Sequence, residues 1–170
     1  DLVREGIDCV VRAGHPRDSS LVVKRLAAMP EVVCASPSYL RYFGTPQHPD
    51  ELQAHQAVGF FASDRDIPYP FEFTIEGQAR EYTVGGWVSV NDAECYTTCA
   101  LQGAGLIQVP RFRVEDHLRS GRLVQVLADW PSPPLPVSVL YPHHRQLSPR
   151  VKAFIDWVSG VYEDRFGPLA

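Results

Sequence analysis

Apolar positions along this chain come in short runs separated by glycine, proline and polar clusters, and the runs alternate between two periodicities. Ile7-Asp8-Cys9-Val10-Val11 predicts a buried strand entered from a helix end, with Leu2 and Val3 in the last helical turn before the stop signal Gly6. Leu21 to Leu26 and Val32 to Ala35 predict two further strands. Ser36-Pro37 then opens a short helix through Tyr42, with serine as cap and proline in the first turn, and Gly44 ends it. Pro49-Asp50-Glu51-Leu52 begins a second short helix.

Ala57 to Phe61 predicts a strand, and Ser63 to Pro70 a polar loop. Phe71-Glu72-Phe73-Thr74-Ile75 alternates apolar and polar, as a half-exposed strand does. Glu76-Gly77 turns it into Arg80 to Val84, and Trp87 to Val90 follow Gly85-Gly86. Asn91 with Glu94 three residues on resembles a capping box, and the helix behind it places Ala93, Tyr96, Thr97 and Ala100 on one face. Gly103 and Gly105 end that helix, and Leu106 to Val109 form a strand stopped by Pro110. Leu123 to Leu127 and Val137 to Leu140 predict the last strands. Ser148-Pro149 starts a final helix with Val151, Phe154, Ile155, Val158, Val161 and Tyr162 on one face. The alternation argues an α/β protein with a mostly parallel sheet. The Ala35-Ser36 step and the prolines at 131, 133, 134 and 136 are the expected crossovers between two lobes.

The composition changes this picture little: 170 residues, 45% hydrophobic and 21% charged, suit one globular domain or two small lobes. The net charge of −4 makes the chain a poor match for phosphate backbones. No apolar run approaches the ~18 residues of a membrane span. Asp1 stands first, and Leu2-Val3-Arg4-Glu5-Gly6 is no signal peptide, so the chain is expected to be excised from a longer one. Cys9, Cys34, Cys95 and Cys99 form no CxxC and read as reduced structural thiols, which suits a cytoplasmic protein, with a redox or metal role for Cys95 and Cys99 as the alternative. His143-His144 lack partners at metal spacing, so no metal and no cofactor is expected.

Catalytic motifs are missing: there is no GxSxG, HExxH, P-loop or GxGxxG. Gly103-Ala104-Gly105 lacks the third glycine of a dinucleotide fingerprint, and Asp64, Asp66, Glu72 and Glu76 read as solvated charges. The expectation is a binding module and not an enzyme. Arg12 follows an apolar strand, where open α/β sheets bind ligands. It either forks a carboxylate or ties the fold through a structural salt bridge. Asn91 and Asp92 start a helix whose N–H groups either receive an anion or are simply capped. The charge of Asp92 opposes an anion unless it accepts a ligand hydroxyl or amine.

Read in order, the segments Asp1 to Gly14, Asp18 to Val22, Ala35 to Leu40, Gly44-Thr45-Pro46, Val90 to Ala93, Gly103 to Leu106, Pro110, Ser120 to Val124, Tyr141-Pro142 and Leu147 to Asp156 resemble the regulatory domain of LysR-type transcriptional regulators. The resemblance implies a fold similar to type 2 periplasmic binding proteins: two Rossmann-like lobes joined by two crossovers, with an effector in the cleft. Lobe one is then residues 1–35 plus 137–170, and lobe two residues 36–136. The resemblance implies that the first strand-helix-strand part of lobe one, roughly 40 residues, and the amino-terminal winged helix-turn-helix are expected to lie outside this sequence. By position, the ligand-binding residues are Arg12, Phe60, Phe61, Ala62, Ser63, Asn91 and Asp92. Either Phe60 or Phe61 floors an apolar or aromatic effector while its neighbour faces the core.

The implied function is effector sensing: a small carboxylate or aromatic molecule shifts a conformational equilibrium coupled to promoter binding through the missing helix-turn-helix. The family pairs its regulatory domains as homo-oligomers, with the helix near Asp92, and Tyr96 and Cys99 on it, as candidate contacts. No membrane partner is implied. The alternative is a solute-binding protein of a transport system with the same fold.

Overall fold

The computed structural model describes residues 6–14, 21–62, 67–142 and 148–169. In chain order these form β1 (Val10–Ala13), β2 (Leu21–Met29), β3 (Glu31–Ala35), α1 (Pro37–Phe43), a 3-10 helix (Pro49–Ala54), β4 (Val58–Phe60), β5 (Phe71–Ile75), β6 (Gln78–Tyr82), β7 (Val88–Val90), α2 (Ala93–Leu101), β8 (Ile107–Pro110), α3 (Arg111–Arg119), β9 (Val124–Val126), β10 (Leu135–Pro142) and α4 (Pro149–Phe166). The chain divides into two compact units, Asp1–Met29 with Pro134–Ala170, and Pro30–Pro133. The expected lobe boundaries stood six residues later at the first crossing and three later at the second. The difference at the first crossing is β3, whose ladder partners β8 and β9 both lie in the Pro30–Pro133 unit.

The first unit is a three-stranded sheet in the order β1-β10-β2, antiparallel throughout. β10 is its middle strand and is buried continuously from Pro136 to Leu140. α4 packs against β2. The Ser148 hydroxyl caps α4 by accepting from the Val151 amide at 3.4 Å, and Gly167 ends it at φ 81. Val151, Ile155 and Val158 form its buried stripe, while Phe154 and Val161, expected on the same face, are exposed.

In the second unit β3 lies between β8 and β9, antiparallel to both. β8 meets β4 through a parallel bridge, Ala57 to Leu106, and β4 pairs with β7 in parallel. The strands therefore run in the order β9-β3-β8-β4-β7. The expected mostly parallel sheet is corrected here. β4, β7, β8 and β9 share a direction, but β3 is inserted the other way, so its two ladders are antiparallel. Gly86 is the residue that permits β4 to enter: a Cβ there would fall 1.7 Å from the Ala57 carbonyl oxygen.

Two apolar clusters cover the faces of this sheet. One gathers Val33, Ala35, Tyr39, Leu52, Phe71, Phe73, Ile75 and Leu106 beneath the β5–β6 hairpin. That hairpin turns at Glu76-Gly77, both at positive φ (53 and 77), the backbone of a type I′ turn. The other cluster joins Val32, Cys34, Val58, Tyr96, Ala100, Ile107 and Val109 to α2 and α3. α1 starts and stops as expected, with Ser36 Oγ accepting from the Tyr39 amide and Gly44 at φ 84. α2 is capped by Asp92 and not by the expected Asn91: its carboxylate accepts from the Glu94 and Cys95 amides at 3.0 and 2.9 Å. α3 is a helix that the pattern did not announce, because Val114 is its one buried residue.

Candidate functional site

The parallel register of β4 and β7 pairs Val58 with Val88, Gly59 with Ser89 and Phe60 with Val90. The carboxyl ends of both strands therefore lie side by side, the place where open α/β sheets receive ligands. Immediately beyond, the Phe61 amide donates to the Val90 carbonyl at 3.1 Å, and the Tyr69 amide donates back to the Phe60 carbonyl at 2.8 Å. Phe61 and Ala62 are half-buried at this end, and Asn91 is exposed. Ser63 lies outside the described residues, as do Asp64, Asp66 and the His143-His144 pair.

Phe60 faces inward. Its ring centroid is 5.1 Å from that of Tyr96, and it packs against the α2 cluster. Phe61 is thus the aromatic residue left at the strand end. Asp92 already serves its own helix, and its carboxyl is held below the ordinary range, chiefly by the hydrogen bond from the Cys95 amide. Its negative charge at the helix start makes that terminus a poor anion receptor.

Arg12 belongs to the other unit. It is the third residue of β1, opposite Ser138 of β10, with an exposed side chain. The sequence reading had put it just past a strand ending at Val11; the strand runs on to Ala13. Asp8, earlier in the same segment, receives Arg150 at 3.1 Å. The structure thus brings Phe60, Phe61, Ala62, Asn91 and Asp92 to one strand end of the second unit, and places Arg12 on the first.

A polar group that the sequence reading passed over adjoins this strand end. Glu31 opens β3 directly opposite Pro110, at the carboxyl end of β8. Burial, and secondarily the charge of Glu72, push its carboxyl up to about 7. Gln108 of β8 fastens the start of β5: its side-chain carbonyl accepts from the Glu72 amide at 2.8 Å, and its Nε2 donates to the Glu72 carbonyl at 2.9 Å. The same Nε2 lies 2.7 Å from Ser132 Oγ. Tyr96, buried under Phe60, accepts the Gln108 amide on its hydroxyl at 3.1 Å, and burial raises its phenol pKa. Only 5% exposed, Tyr96 is a core residue, which corrects its place among subunit contacts. The available signal was a glutamine inside the apolar run Leu106 to Val109. Among the described residues, no group of three or more His, Cys, Asp or Glu side chains is placed to hold a metal ion.

Residues 1–162 match the LysR substrate binding domain. The chain belongs to the LysR substrate-binding domain family. It is 38% identical over 164 residues to the HTH-type transcriptional regulator YhjC of Escherichia coli (strain K12), covering 96% of this chain and 55% of that protein. The regulatory domain of CrgA, a LysR-type transcriptional regulator from Neisseria meningitidis, superposes with a TM-score of 0.76 at 26% identity, over 94% of this chain and 78% of that one. The full-length virulence activator AphB of Vibrio cholerae does so at 0.75 and 28%, over 95% of this chain and 54% of its own. The chain spans about half the length of the relatives that it matches. Its fold is the mixed α/β, type 2 periplasmic-binding-protein-like fold of LysR regulatory domains, and the relatives are transcriptional regulators, not enzymes or transport proteins. No helix of the described residues is long and apolar enough to cross a membrane.

Proposed function

We propose that this LysR domain senses a small effector for a cytoplasmic transcriptional regulator, and that the effector sits where β4 and β7 end. The observation that carries the reading is the parallel β4–β7 pair, which sets half-buried Phe61 and exposed Asn91 beside one another at a strand end of a LysR substrate-binding domain. Phe61 covers an apolar or aromatic part of the effector, and the Asn91 amide takes a polar group. Asp92, occupied as a cap, takes none. The effector carries a carboxylate that accepts from the Asn91 side-chain amide, a charge-assisted hydrogen bond. Binding shifts a conformational equilibrium, and the regulator reads that shift at promoter DNA through a helix-turn-helix segment, as a homo-oligomer paired through regulatory domains.

A thermal-shift screen of small aliphatic and aromatic carboxylates identifies a binder, and calorimetric titration measures its affinity. A charge-assisted hydrogen bond contributes ~1.5–3 kcal/mol. Asn91→Ala therefore weakens binding roughly 10- to 150-fold at ~1.4 kcal/mol per decade, without unfolding the chain. If Asn91→Ala leaves the affinity intact, the effector contact assigned to it is wrong.

A further inference from the structure

α2 and α3 feed one apolar cluster, through Tyr96 and Ala100 from the first helix and Val114 from the second. Between the two helices lies a pocket of about 210 Å³, lined by Glu94 and Thr97 of α2 and by Phe112, Arg113 and His117 of α3. A water takes about 30 Å³ of liquid, so the space admits a small molecule. Both helices belong to the Pro30–Pro133 unit. Arg113 and His117 stand four residues apart and therefore share a face of α3.

The polar groups of this pocket are only partly used. Arg113 Nη2 donates to Glu94 Oε1 at 2.8 Å. In a guanidinium, Nη2 and Nε form one of the planar forks that a carboxylate or phosphate fills with two oxygens. Glu94 takes one tine of that fork. The other, Nε, is buried and has no hydrogen-bond partner among the described residues. His117 Nδ1 is likewise buried without a partner. A buried polar nitrogen left unpaired is costly, and such atoms mark places where a water or an ion belongs. The Thr97 hydroxyl is spent on the Ala93 carbonyl at 3.2 Å, so Arg113 and His117 supply the donors.

Two carboxylates bear on Arg113. Asp92 is engaged with the Glu94 and Cys95 amides as the cap of α2. Glu94 shows that a carboxylate reaches the guanidinium here, yet its side chain is 85% exposed, and an exposed pair of this kind holds weakly.

We infer that the α2–α3 pocket binds a small oxyanion, a carboxylate or a phosphate, on the Arg113 fork and the His117 ring, with Glu94 as the built-in carboxylate that the ligand displaces. Phe112 walls the pocket for the organic part of a carboxylate. The site is separate from the effector position at the ends of β4 and β7, and it does not depend on that reading. The rival is purely structural: Arg113 Nε and His117 Nδ1 pair with each other across one helical turn.

The test is NMR titration of the unmodified chain, reading the Arg113 Nε–H signal and the His117 ring. Sodium phosphate, sodium acetate and sodium benzoate are added in separate arms, with sodium chloride at matched ionic strength as the control. Saturable shifts at both residues with phosphate or a carboxylate, and none with chloride, are expected. Benzoate binding more tightly than acetate and phosphate assigns an organic carboxylate with its ring on Phe112; phosphate binding tightest assigns free phosphate. Arg113→Gln should weaken binding at least about tenfold, as loss of a charge-assisted bond does. Glu94→Gln should tighten it roughly two- to fivefold, the upper figure being the ~1 kcal/mol of an exposed ion pair. Asn91→Ala should leave the titration unchanged. Shifts that chloride reproduces, signals that no anion moves, or a Glu94→Gln chain that binds no tighter overturn the site and leave the structural pairing. An equal loss in Asn91→Ala overturns it too, because the anion would then sit at the ends of β4 and β7. The unmodified chain decides the matter even if Arg113→Gln fails to fold.

Discussion

The two units bury their apolar residues differently. In Pro30–Pro133 the middle of the sheet is covered on both faces: Leu106 and Ile107 are fully buried, with the β5–β6 hairpin and its enclosed Phe73 on one side and α2 on the other, while Val88 of β7 and Val124 of β9 stay exposed toward its edges. In the other unit the sheet has three strands and one packed helix, and Val23, Phe154, Trp157 and Val161 remain exposed. Scattered exposed apolar residues are ordinary. The contrast lies in what each unit builds from its strands. The closed core fixes the ends of β4 and β7, so the aromatic and polar groups there are held in place. The first unit offers Arg12 from an exposed strand position.

The largest expected effect tests whether the units differ in independence as well as in packing. Phe73→Ala should cost about 3–5 kcal/mol, because its ring is fully enclosed and the hairpin cannot collapse onto the space. Trp157 reports on the first unit, while Trp87 and Trp130 report on the second. In urea unfolding read with single-tryptophan variants, the loss should register at Trp130. An equal shift of the Trp157 transition would show that the units unfold together, and the comparison would then concern packing alone.

A matched pair of cap substitutions sharpens the contrast. Ser36→Ala removes a buried hydroxyl that the Tyr39 amide donates to at 3.2 Å and that also meets Ser38 Oγ at 2.8 Å. Ser148→Ala removes a longer, half-buried cap bond of 3.4 Å. Cap losses are typically about 1 kcal/mol. Ser36→Ala should exceed that figure and Ser148→Ala fall below it in chemical denaturation. The reverse order would mean that cap strength here is not set by burial.

How far these features were legible depends on whether local chemistry decided them. Ser36-Pro37, Ser148-Pro149 and Glu76-Gly77 could be read because a cap or a tight turn needs only neighbouring residues. The strand direction could not be read: β3 sits between β8 and β9, partners more than 70 residues away, and nothing in Val32 to Ala35 announces its sense. α3 was missed because a helix with one buried valine carries little apolar period. At the candidate site, the neighbours Phe60 and Phe61 were both legible, but only packing against Tyr96 shows which of them turns inward. The Glu72–Gln108–Ser132 group joins residues from three separate stretches of the chain, and no local pattern could have gathered it.

The smallest expected effect concerns the open unit. Trp157 is 64% exposed on α4, with Phe154 beside it at a ring-centroid distance of 5.9 Å. If the indole meets only water and that neighbouring ring, Trp157→Ser removes little buried area and should change stability by less than about 0.5 kcal/mol, as surface substitutions do. Ile155→Ala, two residues away on the buried stripe, should cost about 2–5 kcal/mol. Thermal melts of both variants at two protein concentrations make the comparison. A Trp157→Ser loss comparable to that of Ile155→Ala, and growing with concentration, would mean that a second copy covers α4. The openness of this unit would then belong to the isolated chain, and the contrast between the units would narrow to their strand topology.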